Sequence, residues 1–383
     1  MPRTHASPSR QQAVEYAAAV HPGLEEIAGH EIAQRLEDAK ILDTRRGWVV
    51  LSYAGLAADL LTLRTTEDVF AVLFRTDRLP ATRQAGTDLL ARMARGSRYW
   101  SQALGAFYQT RQRSVKRTTF RVIAQMSGQH GFRRQEARDA IWAGVQVRWP
   151  GWKPVADDAH LEIWAPIVND WALIALRLSN RTMRHRTYKD EHRPASLRPT
   201  IAAAMVLLTH PHPQDRFCDP MCGAGTILAE RALAGPYRIM YGGDLDPDAV
   251  ETTAINLARA GVQMILPAQP PDLGGRTPSH SRCTLSTWDA GSLPLRSGSL
   301  NAVACNLPFG EQIGSHAENQ ALYARFFHQL TRLLAPGGRA VLLTSEKELV
   351  RQQIHAHPSL HREQEILIGV LGRAARIYVL RHG

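Results

Sequence analysis

The sequence predicts an α/β protein: a mostly parallel sheet covered by helices in its second half, preceded by a basic α+β region. Three observations predict it. From "RFCDP" onward, strand-like and helix-like segments alternate in a regular way. The first of these strands ends in an acid and runs into a glycine-containing turn before a helix, the connection of a βα unit and not of a hairpin. Charge is also uneven. Residues 1–200 hold 30 Lys/Arg against 20 Asp/Glu, whereas 201–383 hold 16 against 15.

The second half reads in order. "RFCDP" is a short buried strand and "AGTILAERALAG" a helix stopped by Gly235-Pro236. "RIMYGGDL" is the next strand, and "PDAVETTAINLARAG" a helix with Pro247 suited to its first turn. "CTLSTWD" and "LNAVACN" are strands, and "AENQALYARFFHQLTRLLAPGG" is a helix closed by Pro-Gly-Gly. "RAVLLTS" is a strand, "EKELVRQQIHAH" a helix, and "EQEILIGV" with "RIYVLRH" a terminal antiparallel hairpin. Residues 266–282 are rich in Pro and read as an extended inserted loop. In the first half, "YAAAV", "GWVVLSY", "FAVLFRT", "FRVIAQM" and "WALIALRLS" are strand candidates. "HPGLEEIAGHEIAQRLEDAK" reads as a turn and an amphipathic helix, and "RRQEARDAIWAGVQVRW" has helical spacing. Periodicity resolves this half only as one or two α+β modules.

Composition narrows the classes. A chain of 383 residues with 44% apolar content has ample core for two or three domains. Its longest apolar runs fall far short of a bilayer span, and "MPRTHASPSRQQ" lacks the apolar stretch of a secretory signal. The expectation is a soluble cytoplasmic protein. Four cysteines make no disulfide framework, and no His sits at ligand spacing beside Cys218 and Cys222, so buried free thiols are expected and no metal. Net charge is +11, and within 91–150 twelve basic residues face only Glu136 and Asp139. A bias over some 60 residues points to a polyanion such as nucleic acid.

The chemistry concentrates at strand ends. In "DPMCGAGTILAE" a strand ends at Asp219 and a helix begins with Thr226. Gly223 and Gly225 between them permit positive φ or close backbone approach to a ligand. A dinucleotide fingerprint fails here, because Leu228 stands where its third glycine would be. An acid directly before the turn suits a cationic amino-acid end better than a pyrophosphate. Asp244 in "GGDLDP" lies about 20 residues on, where a carboxylate accepts ribose hydroxyls, and Asp246 reads as the N-cap of the helix at Pro247. Asp289 in "STWDAGSLPL" is placed to accept from an adenine amino group. Together these acids describe a site for S-adenosylmethionine, with Met221, Thr226, Leu245 and Ala290 beside them.

"NLPFG" completes the set. The Asn306 side-chain oxygen and the Leu307 carbonyl could each accept one N–H of an exocyclic amine. Pro308 fixes φ and aims that carbonyl, and Phe309 can stack on a base. Such an amine is a poor nucleophile because its lone pair is delocalised, and two acceptors that draw its hydrogens from the ring plane restore lone-pair character. Asn306 is neutral, so its role is orientation and polarisation, not proton abstraction.

These motifs resemble the class I S-adenosylmethionine-dependent methyltransferases that act on exocyclic amines, whose motif is Asn/Asp-x-Pro-aromatic. "DPMCGAGTILAE", "NLPFG" and "RHRTYKDEHRPASLRPTIAAAMVLL" are similar to the THUMP-domain tRNA guanine-N2 methyltransferases, in particular those acting on guanosine 6 of the acceptor stem. The resemblance implies a Rossmann-like domain with a seven-stranded sheet over 196–383, a ferredoxin-like domain over 12–75, a THUMP RNA-binding domain over 76–180 and a linker over 181–195. It implies that Asp219, Gly223, Gly225, Asp244, Asp289 and Asn306 line the cofactor site, with Ser196 and Leu197 approaching from the lead-in helix. It also implies that the basic module meets the 3′ end and acceptor stem of tRNA. A monomer is the default expectation, since the sequence itself is silent on oligomeric state. Arg121, Arg133 and Arg134 are the expected phosphate contacts, followed by Arg111, Arg113, Lys116 and Arg117. The alternatives are rRNA guanine-N2 or adenine-N6 methylation, or an RNA-binding protein whose methyltransferase fold is inactive.

Overall fold

Two units are distinguished by their internal contacts: Met1–Ala19 with Gly29–Met183, and Val20–Ala28 with Arg184–Gly383. The structure, a computed structural model, describes residues 13–111, 117–180, 182–189, 191, 193, 196–264, 282–309, 316–370 and 372–383.

Up to Met183 the elements run β1 (Val14–Val20), α1 (Glu25–Arg35), β2 (Lys40–Arg45), β3 (Trp48–Tyr53), a 3₁₀ turn (Ala57–Thr62), β4 (Thr66–Thr76), α2 (Arg83–Gly96), α3 (Trp100–Thr110), β5 (Thr119–Ser127), α4 (Arg134–Arg148), β6 (Lys153–Pro154), β7 (Leu161–Val168) and β8 (Trp171–Arg177), all in the first unit except the stretch Val20–Ala28. The eight strands form one sheet in the order β2-β3-β1-β4-β8-β7-β5-β6. Its central strand β8 is buried along its whole length, as its continuous apolar run requires. Trp48, Val50, Phe70, Val72, Trp171 and Leu173 form a core cluster on this sheet. The edge strand β2 is mostly exposed and carries Lys40 and Arg45, a composition that discourages edge pairing with another chain. The sequence did not reveal it, nor β6, β7, α2 and α3.

The chain continues through the short α5 (Thr182–His185) into the second unit: α6 (Pro199–Leu208), β9 (Arg216–Asp219), α7 (Thr226–Ala234), β10 (Ile239–Asp244), α8 (Pro247–Arg259), β11 (Arg282–Thr287), β12 (Leu300–Asn306), α9 (His316–Leu333), β13 (Leu334–Thr344), α10 (Lys347–Ala356), β14 (Leu360–Val370) and β15 (Arg373–His382). Its seven strands are ordered β11-β10-β9-β12-β13-β15-β14. The first five are parallel, and β15 runs antiparallel to both β13 and β14. This is the seven-stranded sheet with a terminal antiparallel hairpin expected from the sequence.

Period-two alternation builds the layers. Ala302, Ala304, Val341, Leu343, Ile377 and Val379 face one cluster, which holds α6, α7 and α8. Val303, Cys305, Ala340, Leu342, Tyr378 and Leu380 face the other, which holds α9 and α10. One expected boundary is corrected. Pro-Gly-Gly does not close α9; the helix stops at Leu333, and β13 begins at once at Leu334. Pairing with β12 then jumps from Leu300 opposite Leu334 to Ala302 opposite Arg339, because Pro336 has no N–H to give and Gly337 takes φ +75°. Among the described residues no helix is long and apolar enough to cross a membrane.

Candidate active site

Register gathers the predicted residues on one edge of the second sheet. Gly242 of β10 lies opposite Asp219 of β9, and Thr287 of β11 opposite Asp244. On the other side of β9, Cys218 lies opposite Val303 of β12. Asp219, Asp244, Asp289 and Asn306 therefore stand at the carboxyl ends of four adjacent parallel strands. Between β9 and β12 the strand order reverses, which opens the crevice where ligands of such sheets bind.

Asp219 is only 1% exposed. Burial pushes its carboxyl well above the usual carboxylate range; the Met221 N–H at 3.4 Å opposes this, and the Asp244 charge adds to it. A buried acid of this kind is poised to ionise beside a cation.

The glycine turn that follows is held from several sides. Gly223 takes φ +54° and donates its N–H to Asp244 Oδ2 at 2.9 Å, while the Asp246 N–H donates to Asp244 Oδ1 at 3.2 Å. Gly225 takes φ +72° at the start of α7, and a Cβ there would lie 2.8 Å from Thr253 Cγ2. From α8, the Thr253 hydroxyl donates to the Gly223 carbonyl at 2.9 Å and the Asn256 amide to the Ala224 carbonyl at 2.9 Å. The Trp288 indole N–H donates to the Pro220 carbonyl at 3.0 Å. Asp246 caps α8 as expected, accepting from the Asp248 N–H.

Asp289 accepts from the Gly291 N–H at 2.8 Å and from Arg325 Nη1 at 2.6 Å. The Gly291 hydrogen bond holds its carboxyl below the usual range; burial opposes it, and the hydrogen bond and charge of Arg325 add to the lowering. Leu245 is exposed, Ala290 buried and Met221 half-buried beside these acids.

"NLPF" is pinned by its backbone. The Leu307 N–H donates to the Leu343 carbonyl at 2.9 Å. The Pro308 carbonyl accepts from the Tyr323 hydroxyl at 2.9 Å and from Asn319 Nδ2 at 3.2 Å, both on α9. Phe309 packs, half-buried, against the adjoining core, and Gly310 lies outside the described residues. Among the described residues the Asn306 amide oxygen is buried without a hydrogen-bond partner. So are the Ser196 hydroxyl, just before α6, and the Thr226 hydroxyl at the first position of α7. Buried polar atoms are nearly always paired. Two such atoms at this sheet edge, on Asn306 and Thr226, with a buried acid, fit an adenosine that carries a cationic amino-acid end.

The residues expected to meet RNA are arranged differently. Arg121 gives one nitrogen to Asp157 at 2.7 Å and another to Glu162 at 2.5 Å. Glu162 also accepts from Arg177, which pairs with Asp68. Arg111 donates to the Ser179 carbonyl at 2.8 Å and lies over the Phe107 ring; burial, then repulsion by Arg177, lowers its pKa. Arg117, Arg133 and Arg134 are exposed, the last two at the start of α4. Arg113, Lys116 and all of 266–282 except Arg282 lie outside the described residues. Cys218, Cys222, Cys283 and Cys305 are free and buried, and burial pushes all four thiols up, Cys283 to about 12.

Sequence reasoning missed the supporting residues: Thr253 and Asn256, Asn319 and Tyr323, and Arg325. A signal existed for the first two pairs. Polar residues three or four apart on the apolar face of an amphipathic helix are asking for partners.

Comparison with known proteins places this geometry. Residues 186–273 and 275–369 match the family described as UPF0020: RMKL-like, methyltransferase domain. The chain is 29% identical to the tRNA (guanine(6)-N(2))-methyltransferase THUMP3 of Mus musculus over 265 residues, 68% of this chain and 51% of that protein. It thus spans about half the length of such relatives. It is 27% identical to the tRNA (guanine(6)-N2)-methyltransferase of Thermus thermophilus over 366 residues, 95% of this chain and 98% of the relative. The crystal structure of TrmN from Thermus thermophilus shares the fold, with a TM-score of 0.76 at 23% identity over 97% of this chain and all of that one.

Proposed function

With its second unit belonging to the UPF0020, RMKL-like methyltransferase family, we propose that the chain methylates the exocyclic N2 amine of a guanosine in tRNA, guanosine 6 of the acceptor stem, using S-adenosylmethionine. Two relatives that it matches are named for guanine-N2 methylation of tRNA at that position. The observation that carries the reading is the Asn306 amide oxygen, buried, without a partner and at the mouth of the strand-order reversal.

S-adenosylmethionine supplies an electrophilic methyl group on a sulfonium, so the chemistry asks for no metal. Asp219 takes the amino end, and the turn Gly223–Gly225 with Ser196, Leu197, Met221 and Thr226 lines the amino-acid part. Each Asp244 oxygen already accepts one backbone N–H, which leaves lone pairs for the ribose hydroxyls. Asp289 and Ala290 border the adenine, with Leu245 at its open side. Asn306 Oδ1 and the Leu307 carbonyl accept the two hydrogens of the guanine amine. Pro308, clamped by Tyr323 and Asn319, keeps that carbonyl aimed, and Phe309 stacks on the base. The nitrogen lone pair would then be free to take the methyl carbon as its bond to sulfur breaks, with the thioether as leaving group and the amine proton passing to solvent as or after the N–C bond forms.

In this reading 12–75 is the ferredoxin-like domain, 76–180 the THUMP domain that engages the tRNA 3′ end, 181–195 a linker and 196–383 the catalytic domain, in a monomeric cytoplasmic enzyme. Arg117, Arg133 and Arg134 meet phosphate, and Arg113 and Lys116 flank them in sequence. Arg121 and Arg111 hold the sheet that presents them. The target amine is engaged in base pairing within a stem, so the base must be extruded.

The test is methylation of unmodified tRNA transcripts in vitro, read by nucleoside mass spectrometry. The expected product is N2-methylguanosine, lost when guanosine 6 is replaced. Methylation of an rRNA fragment or of adenine instead would move the substrate, and cofactor binding without turnover on any RNA would leave a binding protein.

A further inference from the structure

The segment before α6 carries Ser196 and Leu197, which the reading above assigns to the methyl donor, yet 186–198 has no regular secondary structure among its described residues to stiffen it. It is tied down by side chains instead. Tyr188 donates its hydroxyl to Glu230 Oε1 at 2.7 Å, and Arg186 Nε reaches the same oxygen at 3.2 Å. Glu230 is 1% exposed and lies on α7, the helix that leaves the glycine turn. The Glu191 backbone pairs with the Asn256 side chain in both directions, at 3.3 and 3.2 Å. Arg193 pairs with Asp246.

A further tie, the one made to Leu197 itself, is Lys189. Its ammonium donates to the Leu197 carbonyl at 2.5 Å, eight residues on, and the residue is 8% exposed. Burying an ammonium is unfavourable unless the charge is used. A Met of the same reach would fill the space at less cost, so packing alone does not account for a lysine here.

We propose that Lys189 is a positioning residue of the methyl-donor site: through the Leu197 carbonyl it holds Ser196 and Leu197 against the bound cofactor. This rests on the methyltransferase reading above. The charged and titratable groups around it are Glu230 on α7, with Arg186 and Tyr188 of its own segment closing on that same carboxylate. Burial lowers the Lys189 ammonium to about 8, with Glu230 acting to raise it. The hold therefore weakens as pH rises through that value, because a neutral amine is a poorer donor.

Titration calorimetry with S-adenosylhomocysteine on the full chain, wild type against Lys189→Met, separates the outcomes. At pH 7 the variant is expected to bind of the order of tenfold more weakly, the scale of a charge-assisted hydrogen bond. Its melting temperature should equal or exceed that of wild type, since a buried charge has been removed. The ratio of the two dissociation constants should shrink toward one above pH 9; taking the ratio cancels the titration of the ligand's own amine. Equal affinity at pH 7, a ratio independent of pH, or a melting temperature that falls in step with affinity would overturn the proposal. Wild type that binds no ligand at all would instead overturn the methyl-donor site itself.

Discussion

The sheet edge of the second unit and the basic sheet of the first differ in what their charged groups meet. At the edge, Asn306 Oδ1 and Thr226 Oγ1 are buried and have no hydrogen-bond partner among the described residues, and Asp219 is buried with its carboxyl pushed up. In the first unit, Asp68, Arg177, Glu162, Arg121 and Asp157 bond one another in a chain. Unmet capacity at a preformed crevice is the mark of a ligand site, because folding has left a cost that binding relieves. Charges that bond one another across strands are the mark of a structural network, even where one atom, Arg121 Nε, is left without a hydrogen-bond partner among the described residues. Charge by itself would have ranked Arg121 above Asn306 as a ligand contact.

Substitutions can break that contrast. The largest effect is expected for Asn306→Ala, which should cut methyl transfer by about 10³-fold, the scale of losing a preorganised polar contact in a transition state. Cofactor affinity, measured by calorimetry, should stay; unimpaired turnover would remove Asn306 from the chemistry.

Asp68→Ala takes one of its two carboxylate partners from the buried Arg177 guanidinium, leaving Glu162. Urea unfolding should show a loss of about 3 kcal/mol, as for other broken buried pairs. A loss near zero would mean that the network is not structural.

The acid before the glycine turn gives a pH test. The Asp219 carboxylate is what a cationic ligand needs, and its pKa is raised. Cofactor affinity should therefore fall as pH is lowered, from well above the ordinary carboxylate range, by up to about tenfold per unit. Asp219→Asn should bind weakly and lose that slope. A wild-type profile that stays flat down to pH 4 would place the amino end elsewhere.

The smallest effect separates the two kinds of arginine. Replacing exposed Arg133 and Arg134 together with Ala should weaken RNA binding several-fold and reduce the salt slope by about 1 to 2. Arg121→Ala should leave the slope unchanged and lower stability. Equal slopes for both variants would erase the distinction.

Legibility followed locality. The strands "RFCDP" and "LNAVACN" and the helices from Thr226 and Pro247 are announced by apolar runs that stop at Asp, Asn, Gly or Pro within the same few residues. β7 was not, because Pro166 sits in its middle and argues against a strand; nor was β2, whose exposed face carries no apolar pattern. The end of α9 misled because Pro-Gly-Gly is a common helix stop, yet here it makes an irregular stretch of β13.

The sequence by itself determined where the chain turns and which side chains stand at the ends of β9, β10 and β12, since φ limits and side-chain period act over neighbouring residues. Only the tertiary structure decided which polar groups are spent and which are left over. Arg121 meets Glu162 from 41 positions away and Arg177 meets Asp68 from 109, while the Asn306 oxygen ends with no partner. Pairing across such separations is set by how strands are laid side by side, and no local pattern encodes it.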